Sequence, residues 1–87
     1  MLKGYNSDLN VRGSKYHVQT EDWGVSNPYL VSRIFKNGAV LKTLKVSYEE
    51  ALRSEPVRTE EALKLALQKQ HSDVMDALIE GRLLASP

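Results

Sequence analysis

Tyr29-Leu30-Val31-Ser32-Arg33-Ile34-Phe35-Lys36-Asn37-Gly38-Ala39-Val40-Leu41-Lys42-Thr43-Leu44-Lys45-Val46 is the stretch that decides how this chain folds. Both halves are rich in β-branched and aromatic residues, and between them sits Asn37-Gly38, the pair best suited to a type I′ turn. The spacing predicts strands over 29–36 and 39–46 joined as a tight hairpin. A two-residue turn also sets a register, with Lys36 opposite Ala39, Phe35 opposite Val40, Ile34 opposite Leu41 and Arg33 opposite Lys42. One face then carries Tyr29, Val31, Phe35, Val40, Leu44 and Val46, and the other Leu30, Ile34 and Leu41. The Arg33–Lys42 pair is a like-charge cross-strand match that costs some tenths of a kcal/mol. Either a bulge shifts the register or an acidic group lies over that spot.

Working towards the N-terminus, Leu9 and Val11 alternate with Asp8 and Asn10, and Tyr16, Val18 and Thr20 alternate with His17, Gln19 and Glu21. Strands are expected near 7–11 and 16–21, turning at Arg12-Gly13-Ser14-Lys15, where Gly13 is free to take a positive φ. Asp22-Trp23-Gly24-Val25-Ser26-Asn27-Pro28 reads as a loop.

Towards the C-terminus the pattern turns helical. Ser47-Tyr48-Glu49-Glu50 is a capping box that opens a short helix over about 48–53, which Pro56 ends. Thr59 caps a long helix over about 60–80, with Glu60 and Glu61 in its first turn. Leu63, Ala66, Leu67, Gln70, Val74, Ala77 and Leu78 follow the helical rhythm, and Gly81 is placed to end it. Leu63, Leu67, Val74 and Leu78 are expected on the sheet. Strands grouped before helices give an α+β fold, a four-stranded antiparallel meander followed by a short and a long C-terminal helix.

With 87 residues there is room for one domain, 1–87. The absence of cysteine removes disulfides, thiolate nucleophiles and Cys-ligated metals together. The first eight residues lack an apolar run and no segment approaches membrane-spanning length, so a cytoplasmic location and no membrane contact are expected. The net charge of +1 hides an asymmetry: residues 1–47 carry +4 and residues 48–87 carry −3.

Complete chemical motifs are missing. His17 and His71 are the two histidines, and no His-Glu-x-x-His spacing joins them to a metal. Both read as surface or interface histidines, although His17 beside Glu21 has acid–base character. The glycines stand apart, giving neither a dinucleotide-binding nor a phosphate-binding loop, and no serine elbow occurs. No catalytic residue, metal or cofactor is expected, and the chain is read as not an enzyme. Nucleic acid is the alternative partner, because aromatics intersperse with Arg12, Lys15, Arg33, Lys36, Lys42 and Lys45 in the sheet. Loop residue Trp23 either folds back to plug the core, the favoured reading, or stands out as a binding anchor.

Two resemblances accompany these readings. Tyr29 to Ala51 is similar to the three-stranded-sheet-plus-helix DNA-binding domains of plant transcription factors and phage-type integrases. Tyr16-His17-Val18-Gln19-Thr20-Glu21-Asp22, with Ser26-Asn27-Pro28, Ile34-Phe35, Gly38, Leu41 and Ser47-Tyr48, resembles a family of short, uncharacterised bacterial proteins over residues 9–80. That resemblance implies a bacterial source and a stand-alone small protein, and no activity. Self-association completes the expectation. Leu65, Met75 and Ile79 lie outside the main helical stripe, and Leu83-Leu84-Ala85 adds apolar surface after it. With Trp23 these form the expected protein interface of a homodimer or of a contact with an unknown protein partner, one subunit's acidic helix meeting the other's basic sheet.

Overall fold

A computed structural model describes residues 4–55 and 58–83. Strands β1 (Gly4–Val11), β2 (Ser14–Asp22), β3 (Tyr29–Lys36) and β4 (Ala39–Ser47) form one antiparallel sheet in the order β1-β2-β3-β4. One turn of helix, α1 (Tyr48–Ala51), and the long α2 (Glu60–Ile79) follow. The expected α+β meander is therefore the fold, with β1 and β2 beginning earlier and α1 ending sooner than the sequence suggests. Pro56, read as the terminator of the short helix, and Leu84 and Ala85 of the apolar tail lie outside the described residues.

Both hairpins turn the same way. Arg12 and Gly13 take φ of 51° and 83°, and Asn37 and Gly38 take 54° and 80°. Positive φ at both central positions makes each a type I′ turn, whose twist matches that of the strands it joins. Asn37 tolerates this conformation through its short polar side chain, whereas Arg12 has no such help.

The β3–β4 register departs from the expectation. Phe35 pairs with Val40 as the turn requires, but Ile34 pairs with Lys42 and Arg33 with Thr43, because a bulge intervenes between Ile34 and Phe35. Leu41 is the extra residue. The Arg33–Lys42 clash is thereby avoided, and everything in β4 beyond Leu41 changes faces. Leu44 and Val46 now lie with Ser32 and Leu30, not with Val31 and Tyr29 as the unbulged register has it.

That switch builds the core. Val11, Tyr16, Val18 and Ile34 from the sheet close over Val74 and Leu78 of α2, with Leu9, Leu44, Met75 and Leu83 leaning on them. Leu67 and Ala77 are also buried, while Leu63, expected among them, is only partly so. Each end of α2 is closed by its own chemistry. Thr59 Oγ1 accepts the Ala62 N–H at 3.0 Å. At the other end the Gly81 and Arg82 N–H groups donate to the Leu78 and Ala77 carbonyls, with Gly81 at φ 81°. This 5→2 and 6→1 pair is the Schellman arrangement. Among the described residues, no helix is long and apolar enough to cross a membrane.

Candidate functional site

Helix α2 lies over β1, β2 and β3 on one face of the sheet, and α1 sits at the edge by β3 and β4. Strand alternation sends the other residues of each strand to the opposite face, which no helix among the described residues covers. Lys15, His17, Gln19, Phe35, Arg33 and Lys45 are on this open face. Val31 is there too, yet only 2% exposed. Its cover is Trp23. The Trp23 N–H donates to the Tyr29 carbonyl at 3.0 Å, and the indole lies 5.7 Å from Arg33 Cζ and 5.1 Å from Lys45 Nζ. Lys45 pairs opposite Val31 and Arg33 is two residues along, so an indole resting against both sits over Val31. Trp23 thus packs onto the open face, away from the α2 side. Lys45 Nζ is also 4.3 Å from the Tyr29 ring, so two cations share one aromatic patch.

At the far end of the same face the hairpins part company. The β2–β3 ladder stops at His17–Phe35, whereas β1–β2 runs on to Val11–Ser14 and β3–β4 to Lys36–Ala39. Beyond His17 the two tips are unpaired with each other and enclose a cleft of about 710 Å³, lined by Asp8, Asn10, Lys15, His17, Gln19, Phe35 and Asn37 among others. His17 Nδ1 is 2.9 Å from Asp8 Oδ1. That nitrogen donates to the carboxylate, and Nε2 lies on the other side of the ring. The imidazole is tilted against the Phe35 ring at 5.9 Å. The lining holds no Ser, Thr or Cys. What it can do is stack on a ring, hydrogen-bond through amides and an imidazole, and hold an anion at Lys15.

The second histidine corrects the sequence reading. His71 is 7% exposed, enclosed between α2 and the sheet rather than at the surface. Its Nε2 lies 2.9 Å from Ser7 Oγ and its Nδ1 2.8 Å from Thr20 Oγ1. Thr20 Oγ1 is 2.8 Å from Ser32 Oγ, and Gln70 Nε2 donates to Ser32 Oγ at 3.0 Å and the Leu30 carbonyl at 3.2 Å. One proton order that satisfies all of them has Gln70 donating to Ser32, Ser32 to Thr20, Thr20 to Nδ1, and Nε2–H to Ser7, with the imidazole neutral. Burial holds the His71 pKa below its ordinary value, with the charge of His17 adding to the effect. No buried side-chain polar atom among the described residues lacks a partner. The network spans three strands and fixes how α2 sits on them.

A third polar contact ties the Trp23 loop to the helices. The Tyr48 hydroxyl donates to Asp22 Oδ1, which also accepts the Gly24 N–H at 2.9 Å. Burial, then the Asp22 carboxylate, pushes the Tyr48 pKa up to about 12.

The residues singled out by sequence are distributed as follows. Arg33 and Lys45 meet at Trp23, and Lys15 joins the same face in the cleft. Lys36 lies over the Tyr16 ring at 5.5 Å, and Lys42 pairs with buried Ile34, so both belong to the α2 side of the sheet, beyond the helix. The Arg12 guanidinium rests beside Gly81. The six cations therefore form no single patch. Of the interface residues, Leu65 and Ile79 are 56% and 49% exposed, whereas Met75 and Leu83 lean on the core. The sequence places Thr20 with Tyr16 and Val18 and Gln70 in the helical stripe, but it does not show that Ser7, Thr20, Ser32 and Gln70 meet around His71. Among the described residues, no three His, Asp or Glu side chains gather as metal ligands. Neither a family model, nor a curated protein, nor a solved structure matches this chain.

Proposed function

We propose that the chain is a small non-enzymatic interaction module acting through protein–protein contacts, and that its first contact is with a second copy of itself through α2. One observation carries this reading. Leu65 and Ile79, half-exposed on α2, stand seven residues to either side of Ser72. Seven residues are close to two helical turns, so Leu65, Ser72 and Ile79 form one stripe, with Gln68 and Met75 filling its flank. The stripe is symmetric about Ser72. When two such helices pack antiparallel on a dyad at that residue, each Leu65 meets the other copy's Ile79, and the small Ser72 pair allows close approach. The seam lies on the outer flank of α2, so this arrangement replaces the helix-on-sheet contact that the charge split alone suggests.

Solution mass across a concentration series tests the reading. A dimer is expected, and Leu65→Asp with Ile79→Asp should return it to monomer with an unchanged far-ultraviolet spectrum, since neither residue belongs to the core. A clean 9.8 kDa species at tens of micromolar sinks the proposal.

A further inference from the structure

The proposed dimer occupies the outer flank of α2 and leaves the open sheet face free, and that face has its own chemistry. We propose that it is a binding site for single-stranded nucleic acid, with one unstacked base seated on Phe35 and His17 in the cleft between the hairpin tips and the phosphates tracked by Lys15, Arg33 and Lys45. Of the six sheet cations, Lys15, Arg33 and Lys45 lie on this face, and the acids its strands place there are Asp8, bonded to His17 Nδ1, and Glu21, which accepts from Gln19 Nε2. Among the described residues none of the six makes an ion pair. Arg33 and Lys45, which ordinary design would keep apart, are instead held together on Trp23. Unneutralised cations gathered on a folded surface cost stability through repulsion, and a polyanion relieves that cost.

The form of the polyanion follows from shape and aromatic content. Phe35 and His17 are partly exposed and line the cleft, so they offer ring surface to a flat ligand. A base within a duplex is stacked on both sides and has none to give, whereas a single strand presents its bases freely. Asn10 and Asn37 on the same lining supply paired donors and acceptors that suit base edges, and Gln19, whose Nε2 donates to Glu21, adds an acceptor. A cleft of about 710 Å³ takes one nucleotide with its sugar. The aromatic patch at Trp23 is already occupied by its own cations, so it serves the phosphates and the stacking falls to the cleft.

Fluorescence anisotropy of a labelled twelve-nucleotide single strand, with the matched duplex as competitor, tests the proposal on the full chain. The single strand is expected to bind at least tenfold more tightly than the duplex. Three neutralised phosphates, at a slope near −0.7 each, give a roughly twentyfold loss of affinity on raising salt about fourfold. Lys15→Glu and Lys45→Glu, both exposed, should each weaken binding about tenfold and flatten the salt slope. His17→Ala should weaken the single strand while leaving that slope unchanged, which separates stacking from charge without disturbing the core. Duplex binding equal to or tighter than the single strand, no saturable binding, or indifference to His17→Ala overturns the proposal. The Leu65→Asp/Ile79→Asp variant should retain the site as a monomer, so loss of the dimer and loss of the site are separate outcomes.

Discussion

His71 is one residue through which three strands and a helix are held in one arrangement. Its removal as His71→Ala leaves Thr20 and Ser7 short of partners and opens a void between α2 and the sheet, so a loss of about 2–4 kcal/mol is expected in chemical denaturation. Its titration has a definite sign. The folded-state pKa lies below the ordinary value of 6.5, so the unfolded chain takes up the proton first. Stability is then full above pH 6.5 and falls as pH drops through 6.5, by at most about 1.4 kcal/mol per pH unit for one proton, levelling off below the folded-state value. His71→Gln should flatten that part of the profile, and an identical slope in the variant would place the proton elsewhere. The sequence hid this residue for a physical reason. A histidine on a helix is polar by itself, and its burial depends on hydroxyls from Ser7, Thr20 and Ser32, which adjoin it only after the strands have paired.

At the level of elements, legibility tracked locality. Asn37-Gly38 and the Ser47 and Thr59 caps act within a few residues, and each was readable. The bulge at Leu41 was half readable: the Arg33–Lys42 conflict announced a fault in the register, but which residue drops out depends on whether Leu44 and Val46 face α2. Because Leu41 is the extra residue and is half-exposed, deleting it should leave every other pairing intact. A loss under about 1 kcal/mol is expected by thermal melting, a large loss meaning that the bend itself matters. The close of α2 is less forgiving. Gly81→Ala forces a side chain into φ 81° against the Arg12 guanidinium, 3.6 Å from the new carbon. A cost of about 1 kcal/mol, or roughly 4–8 °C in Tm, should follow.

The whole molecule is 42 Å long and only 25 by 20 Å across. Its hairpin tips, with Arg12, Lys15 and Lys36, lie at one end, and the Trp23 loop, α1 and the acidic start of α2 at the other. An antiparallel pairing of two α2 helices sets the tips of one copy beside the acidic end of its partner, so the long-range charges favour the same orientation as the Ser72-centred stripe. The short-range charges agree. Lys69 and Asp76 border the stripe on the same side, three and four residues from Ser72 in opposite directions. In the proposed dimer Lys69 of each copy would therefore stand opposite Asp76 of the other, and the pair would occur twice. Within one chain Lys69 reaches Asp73 at 2.7 Å, an exposed contact of little worth that leaves it free to turn to a partner. Exposed ion pairs contribute about 0.2–1 kcal/mol each, so converting two attractions into two repulsions by Lys69→Glu should weaken the dimer by about 1–2 kcal/mol, roughly five- to thirtyfold in Kd. Asp76→Lys alone should do the same. The double variant exchanges the charges and should recover most of the loss, because the geometry is unaltered and only the signs are swapped. Sedimentation equilibrium of the four proteins closes the cycle. No loss in the single variants would mean that the copies meet through another surface and additive losses that the two positions do not face each other, whereas recovery is the result expected of facing positions.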